Sequence, residues 1–481
     1  MAGKKVQNAQ EANRLLLVKF GGTSMGSPTA QQQAAKIISD QAQLWDNVVV
    51  VISAMSGVTN SLIACADAAL QRREDQYSTI ITELQTRHFE AIHALAPQEM
   101  QADLCAEIDS QLATLKAFCD SIQVMGEVTA RGMDAISCLG ERMNARIFSA
   151  CLQQAGLHSQ PVDATELIVT DDNFQNARPL LDETCQKVKG LLPPLLEDGI
   201  VPVVTGFIAA TAQGIPTTLG RGGSDYSASL LAECLDASEV WNCTDVDGVM
   251  TADPSIVPDA RVIPQLAYDE MSEMAYFGAK VLHPKTIQPI VAKNIPMRVM
   301  NTFNPEHPGT RITQHSSALR GKLTCVTGIK NLSLFTIEGR GMLGVPGIAA
   351  RTFGAVATQG ASVLMISQSS SEQSIAFVVP SDMERKVQAS LQHDLSVELE
   401  RADINGIQIQ SDVVIITVIG SGMRKTPGIS ARVFNAVAKE KINVIAIAQG
   451  SSEYSISLVV TSQDAKLAIQ EIHREVIING N

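Results

Sequence analysis

Hydrophobic positions along this chain cluster in short unbroken runs rather than alternating with polar ones. Leu15-Leu16-Leu17-Val18-Lys19-Phe20, Val48 to Ile52, Ile200-Val201-Pro202-Val203-Val204-Thr205-Gly206-Phe207 and Glu239-Val240-Trp241-Asn242-Cys243-Thr244-Asp245 are such runs. Segments apolar on both faces and bounded by Gly, Ser or Asp predict buried strands of a parallel sheet. Between them the spacing predicts helices over about Pro28 to Asp40, Ser137 to Phe148, Tyr226 to Leu235 and Met271 to Ile290. From Thr59 to Gly126 there is no intervening glycine, Pro97 is the only proline, and Leu, Ala, Gln and Glu dominate. That composition predicts a long helical stretch, expected to serve as a lid or a dimer surface. Met297 to Met300 closes the alternation. Strands alternating with helices over about 300 residues predict an α/β fold, a mostly parallel sheet sandwiched by helices.

The pattern then changes. Asn304 to Lys322 is rich in Pro, His, Ser, Thr and Arg, lacks periodicity, and reads as a linker. Beyond it lies an internal repeat. Gly347-Ile348-Ala349-Ala350-Arg351-Thr352-Phe353 matches Gly428-Ile429-Ser430-Ala431-Arg432-Val433-Phe434; Gln368 matches Gln449 and Glu372 matches Glu453, each pair 81 positions apart (428−347, 449−368, 453−372). Each copy reads strand, glycine loop, helix, strand, serine-rich turn, strand, helix. Two small α+β units that pair through their sheets suit ligand sensing better than a second active site. The expected plan is a tail at 1–14, a catalytic domain at 15–303, a linker at 304–322 and repeats at 323–400 and 401–481.

Composition narrows the function. The 481 residues carry a net charge of −13, which argues against nucleic acid as a main partner, because phosphate backbones demand a basic surface. No apolar run approaches the roughly 20 residues of a membrane span, and Met1 to Arg14 has no signal-peptide core, so a cytoplasmic location is expected. Nine cysteines without a CxxC pair read as buried small hydrophobes in a reducing compartment, not as disulfides or a zinc site. The histidines show no metal-ligand spacing.

Candidate chemistry centres on two glycine loops. Thr217-Thr218-Leu219-Gly220-Arg221-Gly222-Gly223-Ser224-Asp225 opens a helix. Its amides can approach an oxyanion, Arg221 can grip a phosphate or carboxylate, and Asp225 either caps the helix or organises the cation around a phosphate. Lys19-Phe20-Gly21-Gly22-Thr23-Ser24 is the second loop, with a lysine inside an apolar strand. A solvated lysine beside a tight turn is the bland alternative. Ser53-Ala54-Met55-Ser56-Gly57-Val58-Thr59 opens another helix, and Leu139-Gly140-Glu141-Arg142 offers a carboxylate that suits either an ammonium ligand or plain solvent. Thr244-Asp245-Val246-Asp247-Gly248 ends a strand, where open α/β sheets bind ligands. Lys280 is a further phosphate candidate. Gly339-Arg340-Gly341-Met342-Leu343-Gly344 satisfies GxGxxG, but Gly420-Ser421-Gly422-Met423-Arg424-Lys425 does not, so the match reads as coincidence.

Taken in order, the Lys19, Gly220 and Thr244 motifs, extended by Phe277-Gly278-Ala279-Lys280-Val281-Leu282-His283-Pro284, resemble the aspartate kinases of the amino acid kinase fold. The tandem repeats resemble ACT domains. The resemblance runs from about Leu15 to Ile478. It implies transfer of the γ-phosphoryl of Mg2+-ATP to the side-chain carboxylate of L-aspartate, giving 4-phospho-L-aspartate for lysine, threonine and methionine synthesis. Under it Lys19 and Asp225 are catalytic. Ser53, Thr59, Glu141, Arg221, Gly222, Gly223 and Ser224 bind aspartate. Gly21, Gly22, Thr23, Thr244, Asp245, Met250 and Lys280, with Lys19, bind the nucleotide. Two positions depart from the family pattern: Met250 replaces a usual tyrosine and Ser255 an arginine. Other readings of the same residues are an amino-acid sensor with little catalysis and a kinase for glutamate. The repeats resemble threonine-responsive relatives, including bifunctional enzymes that continue into a homoserine dehydrogenase; with the chain ending at Asn481, no such continuation is expected. Gln368, Gln449, Gly347 and Ile348 are the expected contacts for a threonine or lysine effector. A homodimer through the ACT domains, with a tetramer as a further step, is expected because sheet edges need covering.

Overall fold

A computed structural model describes residues 14–278, 282, 284–314, 323–339, 347–368, 373–423, 426–450 and 454–479. Two compact units divide the chain: Met1–Val249 with Pro264–Tyr268 and Leu282–His315, and Met250–Ile263 with Asp269–Val281 and Ser316–Asn481.

In chain order the first elements are β1 (Leu15–Phe20), α1 (Pro28–Ala42), β2 (Asn47–Ile52), α2 (Val58–Leu70), α3 (Glu74–Leu95), α4 (Gln98–Met125), α5 (Ala130–Ser137) and α6 (Leu139–Gln154). Then come β3 (Ser159–Val162), β4 (Val169–Thr170), α7 (Leu181–Glu197), β5 (Val201–Thr205), β6 (Ile208–Thr211), β7 (Pro216–Thr218), α8 (Gly223–Cys234) and β8 (Glu239–Thr244). They are followed by β9 (Gln265–Ala267), α9 (Tyr268–Tyr276), α10 (Pro284–Ala292), β10 (Met297–Asn301) and β11 (Thr310–Thr313).

The large sheet has the order β3-β5-β2-β1-β8-β10-β11-β9, and every neighbouring pair is parallel except β10 with β11. Every residue of β1 is buried, as its unbroken apolar run predicts. On one face α1 to α6 close over β1 and β2 in a core that includes Phe20, Met55, Leu62, Phe148 and Leu152. On the other, α8 packs on β1, β2 and β8, and α7 on β5. A small sheet, β4-β6-β7, feeds α8.

The second unit holds β12 (Cys325–Glu338), α11 (Ile348–Thr358), β13 (Met365–Gln368), β14 (Ser374–Pro380), α12 (Glu384–Asp394), α13 (Ser396–Glu400), β15 (Gly406–Ile419), α14 (Ile429–Lys439), β16 (Ala446–Gln449), β17 (Ser455–Thr461) and α15 (Ser462–His473). Its antiparallel sheet runs β13-β14-β12-β15-β17-β16. The repeat reappears with its sequence spacing: α14 starts 81 residues after α11 (429−348), β16 after β13 (446−365) and β17 after β14 (455−374). The long central strands serve both copies. β14 pairs with Leu332 to Glu338 of β12, and β17 with Val413 to Ile419 of β15.

Two segments from between the kinase-type motifs belong to this unit. Thr251 Oγ1 lies 2.9 Å from His473 Nε2, and Gln470 Nε2 donates to the Ile256 carbonyl at 2.7 Å. The buried Glu270 accepts from Thr324 Oγ1 at 2.8 Å and from the Ser421 N–H at 2.9 Å, while Glu273 accepts from Ser455 Oγ at 2.9 Å.

Three expectations are corrected. The single helix expected over Met271 to Ile290 is two, because Gly278 adopts φ 95° after α9 and Pro284 begins α10. Within the expected linker, Thr310–Thr313 is β11, paired with β10 and β9. Cys185 on α7 and Cys234 on α8 are joined by a disulfide, against the reading of all nine cysteines as free; the other seven are free. Spacing could not reveal the pairing, since 49 residues separate the two. Among the described residues no helix is long and apolar enough to cross a membrane.

Candidate active site

Parallel strands present their carboxyl ends on one edge, and there the loops after β1, β2, β5 and β8 gather. Lys19, the penultimate residue of β1, sits between Val51 of β2 and Asn242 of β8. Its Nζ lies 2.6 Å from Asp225 Oδ1, with the two side chains only 11% and 15% exposed. The solvated-lysine reading is excluded. So is Asp225 as a simple cap: the N-cap of α8 is Gly222, without a side-chain cap, and Asp225 reaches to Lys19 instead.

The turn after β1 is partly committed and partly open. Gly21 donates its N–H to the Cys243 carbonyl at 3.3 Å. The successive N–H groups of Gly22, Thr23 and Ser24 find no acceptor among the described residues. Consecutive free amides beside an ammonium form a concavity suited to an anion. The Ser24 hydroxyl, by contrast, is buried against Thr302 Oγ1 at 2.7 Å.

Glu141 lies in the first turn of α6 and is 3% exposed. One carboxylate oxygen accepts from the Ala54 N–H at 3.2 Å; the other has no partner among the described residues. Burial pushes its pKa up to about 8. It is therefore not a solvated helix glutamate but a buried carboxylate with one bare oxygen, suited to a cationic ligand. Ser53 Oγ donates to Ser224 Oγ at 2.9 Å, joining the loop after β2 to α8. This approach needs Gly206, where a Cβ would fall 2.7 Å from that of Ser224. Thr59, half-buried, is the second residue of α2.

Sequence reasoning missed the groups that fix these loops. Asn144 Nδ2 donates to the Ser53 carbonyl at 2.7 Å; Gln31 Nε2 donates to Asn144 Oδ1 at 3.0 Å and to the Met25 carbonyl at 3.2 Å. Both amides are fully buried, and a polar residue on an apolar helix face was the available signal. Phe207, after β5, was missed too; it holds φ 67°, unusual for a bulky residue.

Arg221 is exposed, and its side chain has no partner among the described residues. It lies four positions before Asp225, so the backbone between them spans at most roughly 14 Å. Gly222, Gly223 and Ser224 lie between. Thr244 ends β8 beside β1, its hydroxyl donating to Asp245 Oδ1 at 3.1 Å. Asn301 and Asn304 both donate to Asp247, holding its carboxyl below the usual range. Met250 belongs to the second unit, and Lys280 lies outside the described residues, as do Glu372 and Glu453. Gln368 and Gln449 are exposed at the ends of β13 and β16. Gly347 (φ 95°) and Gly428 (φ 92°) are the N-caps of α11 and α14, with open space where a Cβ would stand. The Ile348 side chain is buried.

The amino acid kinase family matches residues 14–301, and an ACT domain matches twice, over 335–395 and 416–476. The chain is 37% identical over 469 residues to the bifunctional aspartokinase/homoserine dehydrogenase of Haemophilus influenzae, covering 96% of this chain and 56% of that protein. It thus spans about half the length of such bifunctional relatives. It is 33% identical over 472 residues to the chloroplastic aspartokinase 3 of Arabidopsis thaliana, covering 97% of this chain and 82% of that one. Two crystal structures of E. coli aspartokinase III are similar at 29% identity, each over 96% of this chain. The complex with aspartate and ADP (R-state) has a TM-score of 0.82 and is covered over 100% of its chain; that with lysine and aspartate (T-state) has 0.77 and 99%. By its motifs, its sheet order and these likenesses, the chain belongs to the amino acid kinase family, among the aspartokinases that carry two ACT domains in tandem.

Proposed function

We propose that the chain is an aspartate kinase. The observation that carries this reading is the buried Lys19–Asp225 pair, linked through Ser224 and Ser53 to the loop that meets Glu141 and its bare oxygen. One end suits a transferring phosphoryl group, the other an amino acid. A side-chain carboxylate with a pKa near 3.9 is already ionised at neutral pH, so no general base is required. The protein's task is to hold two anions together and offset the charge spreading over the transferred group. Lys19 and the amides of Gly22 and Thr23 do so; Asp225 orients the ammonium of Lys19. Glu141 takes the substrate ammonium, and Arg221 a carboxylate, with Ser53, Thr59, Gly222, Gly223 and Ser224 lining the pocket. The β-carboxylate oxygen bonds to the γ-phosphorus as the bond to ADP breaks, giving 4-phospho-L-aspartate, the first step toward lysine, threonine and methionine.

Thr244, Asp245 and Gly21 bind the nucleotide. Mg2+ enters with ATP, since this cation keeps several waters and is bound mainly through substrate phosphates with one or two carboxylates. The aspartate and ADP named for the E. coli structure support both substrates. Regulation follows from the repeats: an amino acid, threonine first and lysine second, binds beside Gln368, Gln449, Gly347 and Ile348. Lysine is named for the T-state structure. A cytoplasmic homodimer through the ACT edge strands, able to form a tetramer, completes the proposal.

The test is ADP release with aspartate against glutamate, with and without threonine and lysine. Aspartate should be preferred, and Lys19→Ala should lower kcat about a thousandfold. Equal rates with both acids, or full activity in the lysine variant, would defeat the proposal.

A further inference from the structure

We infer that Asp134 is a positioning residue that sets the loop carrying Arg221, and through it the affinity for the amino-acid substrate. Asp134, on α5, is 1% exposed and has no cationic partner among the described residues. It accepts three hydrogen bonds. Thr218 Oγ1 donates to Oδ1 at 2.8 Å; the Thr218 N–H at 3.1 Å and the Gln175 N–H at 2.9 Å both donate to Oδ2. One carboxylate thereby ties the last residue of β7 to a second segment, Gln175 to Ala177. The tie is reinforced, since the Ala177 N–H donates to the Thr218 carbonyl at 3.0 Å. Gly220 (φ 73°) then packs so closely on Asn176 that a Cβ would lie 2.9 Å from Asn176 Oδ1. Arg221 follows directly, with no side-chain partner of its own, so its aim depends on where Thr218 to Gly220 are held.

A buried carboxylate is costly unless its acceptors are filled. Here all three donors come from the two segments that flank the glycine loop. An apolar replacement would leave the buried Thr218 N–H unpaired and take the acceptor from the Gln175 N–H. The loop would shift, and small displacements of a binding group are costly to a reaction that depends on alignment.

The inference rests on the role proposed for Arg221, and the experiment separates the two. Steady-state kinetics on the full chain would compare Asp134→Ala, Asp134→Asn, Thr218→Val and Arg221→Ala. Asp134→Ala should raise KM for aspartate about tenfold while KM for ATP moves less than about twofold. Asp134→Asn should recover most of the loss, because its carbonyl can take both N–H donors while its amide donates to the Thr218 hydroxyl. Thr218→Val removes one bond of the three and should give a smaller rise in the same constant; it tests the link even if Asp134→Ala does not fold. Adding Asp134→Ala to Arg221→Ala should raise KM no further. If Arg221→Ala leaves KM for aspartate unchanged, the role of Arg221 falls and the inference with it. If Arg221→Ala raises KM while Asp134→Ala and Thr218→Val leave it alone, or change both substrate constants equally, the inference alone is overturned.

Discussion

Glu141 shows how one residue's surroundings decide its use. Its folded pKa of about 8 lies above the ordinary 4.5, so the unliganded protein holds a proton there at neutral pH. An ammonium placed against the bare oxygen would favour the anion and expel that proton. Aspartate binding at pH 7 should therefore release a fraction of a proton, measured by calorimetry in buffers of different ionisation enthalpy, and Glu141→Gln should abolish the release. The same shift has a stability sign. Between about pH 4.5 and 8 the folded state keeps a proton that the unfolded state has lost, so the unliganded protein is destabilised as pH rises through that window. The motif around Glu141 was legible, its burial was not. Spacing marks a helix face but cannot say that Ala54 will donate to it, or that Asn144 and Gln31 will bridge loops far apart in the chain.

At the scale of the element, α3 carries a fully buried histidine. His88 Nδ1 meets the Leu84 carbonyl at 2.6 Å, its Nε2 has no partner among the described residues, and burial lowers its pKa to about 4. Below pH 6.5 the unfolded chain takes up a proton that the folded helix refuses. The contribution of His88 to stability should fall as pH drops from 6.5 to 4, by about 3 kcal/mol in full. Glu141 acts in the opposite sense over this range, so the His88 contribution is read as a difference: between pH 7 and pH 4.5 in denaturant titrations, His88→Gln should lose less stability, or gain more, than the parent protein. Helix and strand identities were largely readable at this scale. β1 kept its expected bounds because an unbroken apolar run fits a strand buried on both faces. The stretch from Met271 to Ile290 was misread because apolar periodicity continues across Gly278, whose left-handed φ follows the end of α9, and α10 starts at Pro284.

Across the whole molecule, the repeat was visible because equal spacing in sequence reappears as equal spacing of elements. What covers each apolar run was not visible, since hydrophobicity is non-directional. The Cys185–Cys234 link is the same kind of surprise. Thiol titration of protein denatured without reductant should find seven reactive groups, rising to nine after reduction. Nine before reduction would deny the link.

Ala252 and Val257 lie in the core built by β15, α14, β17 and α15, while Glu270 is hydrogen-bonded to Thr324 and Ser421. Residues within the span of the amino acid kinase match are thus furnished with neighbours by the unit that carries the ACT repeats. Because the units interleave along the chain, no single cut separates one from the other. Grafting a different sensor onto this scaffold would mean redesigning 250–263 and 269–281 together with the sensor.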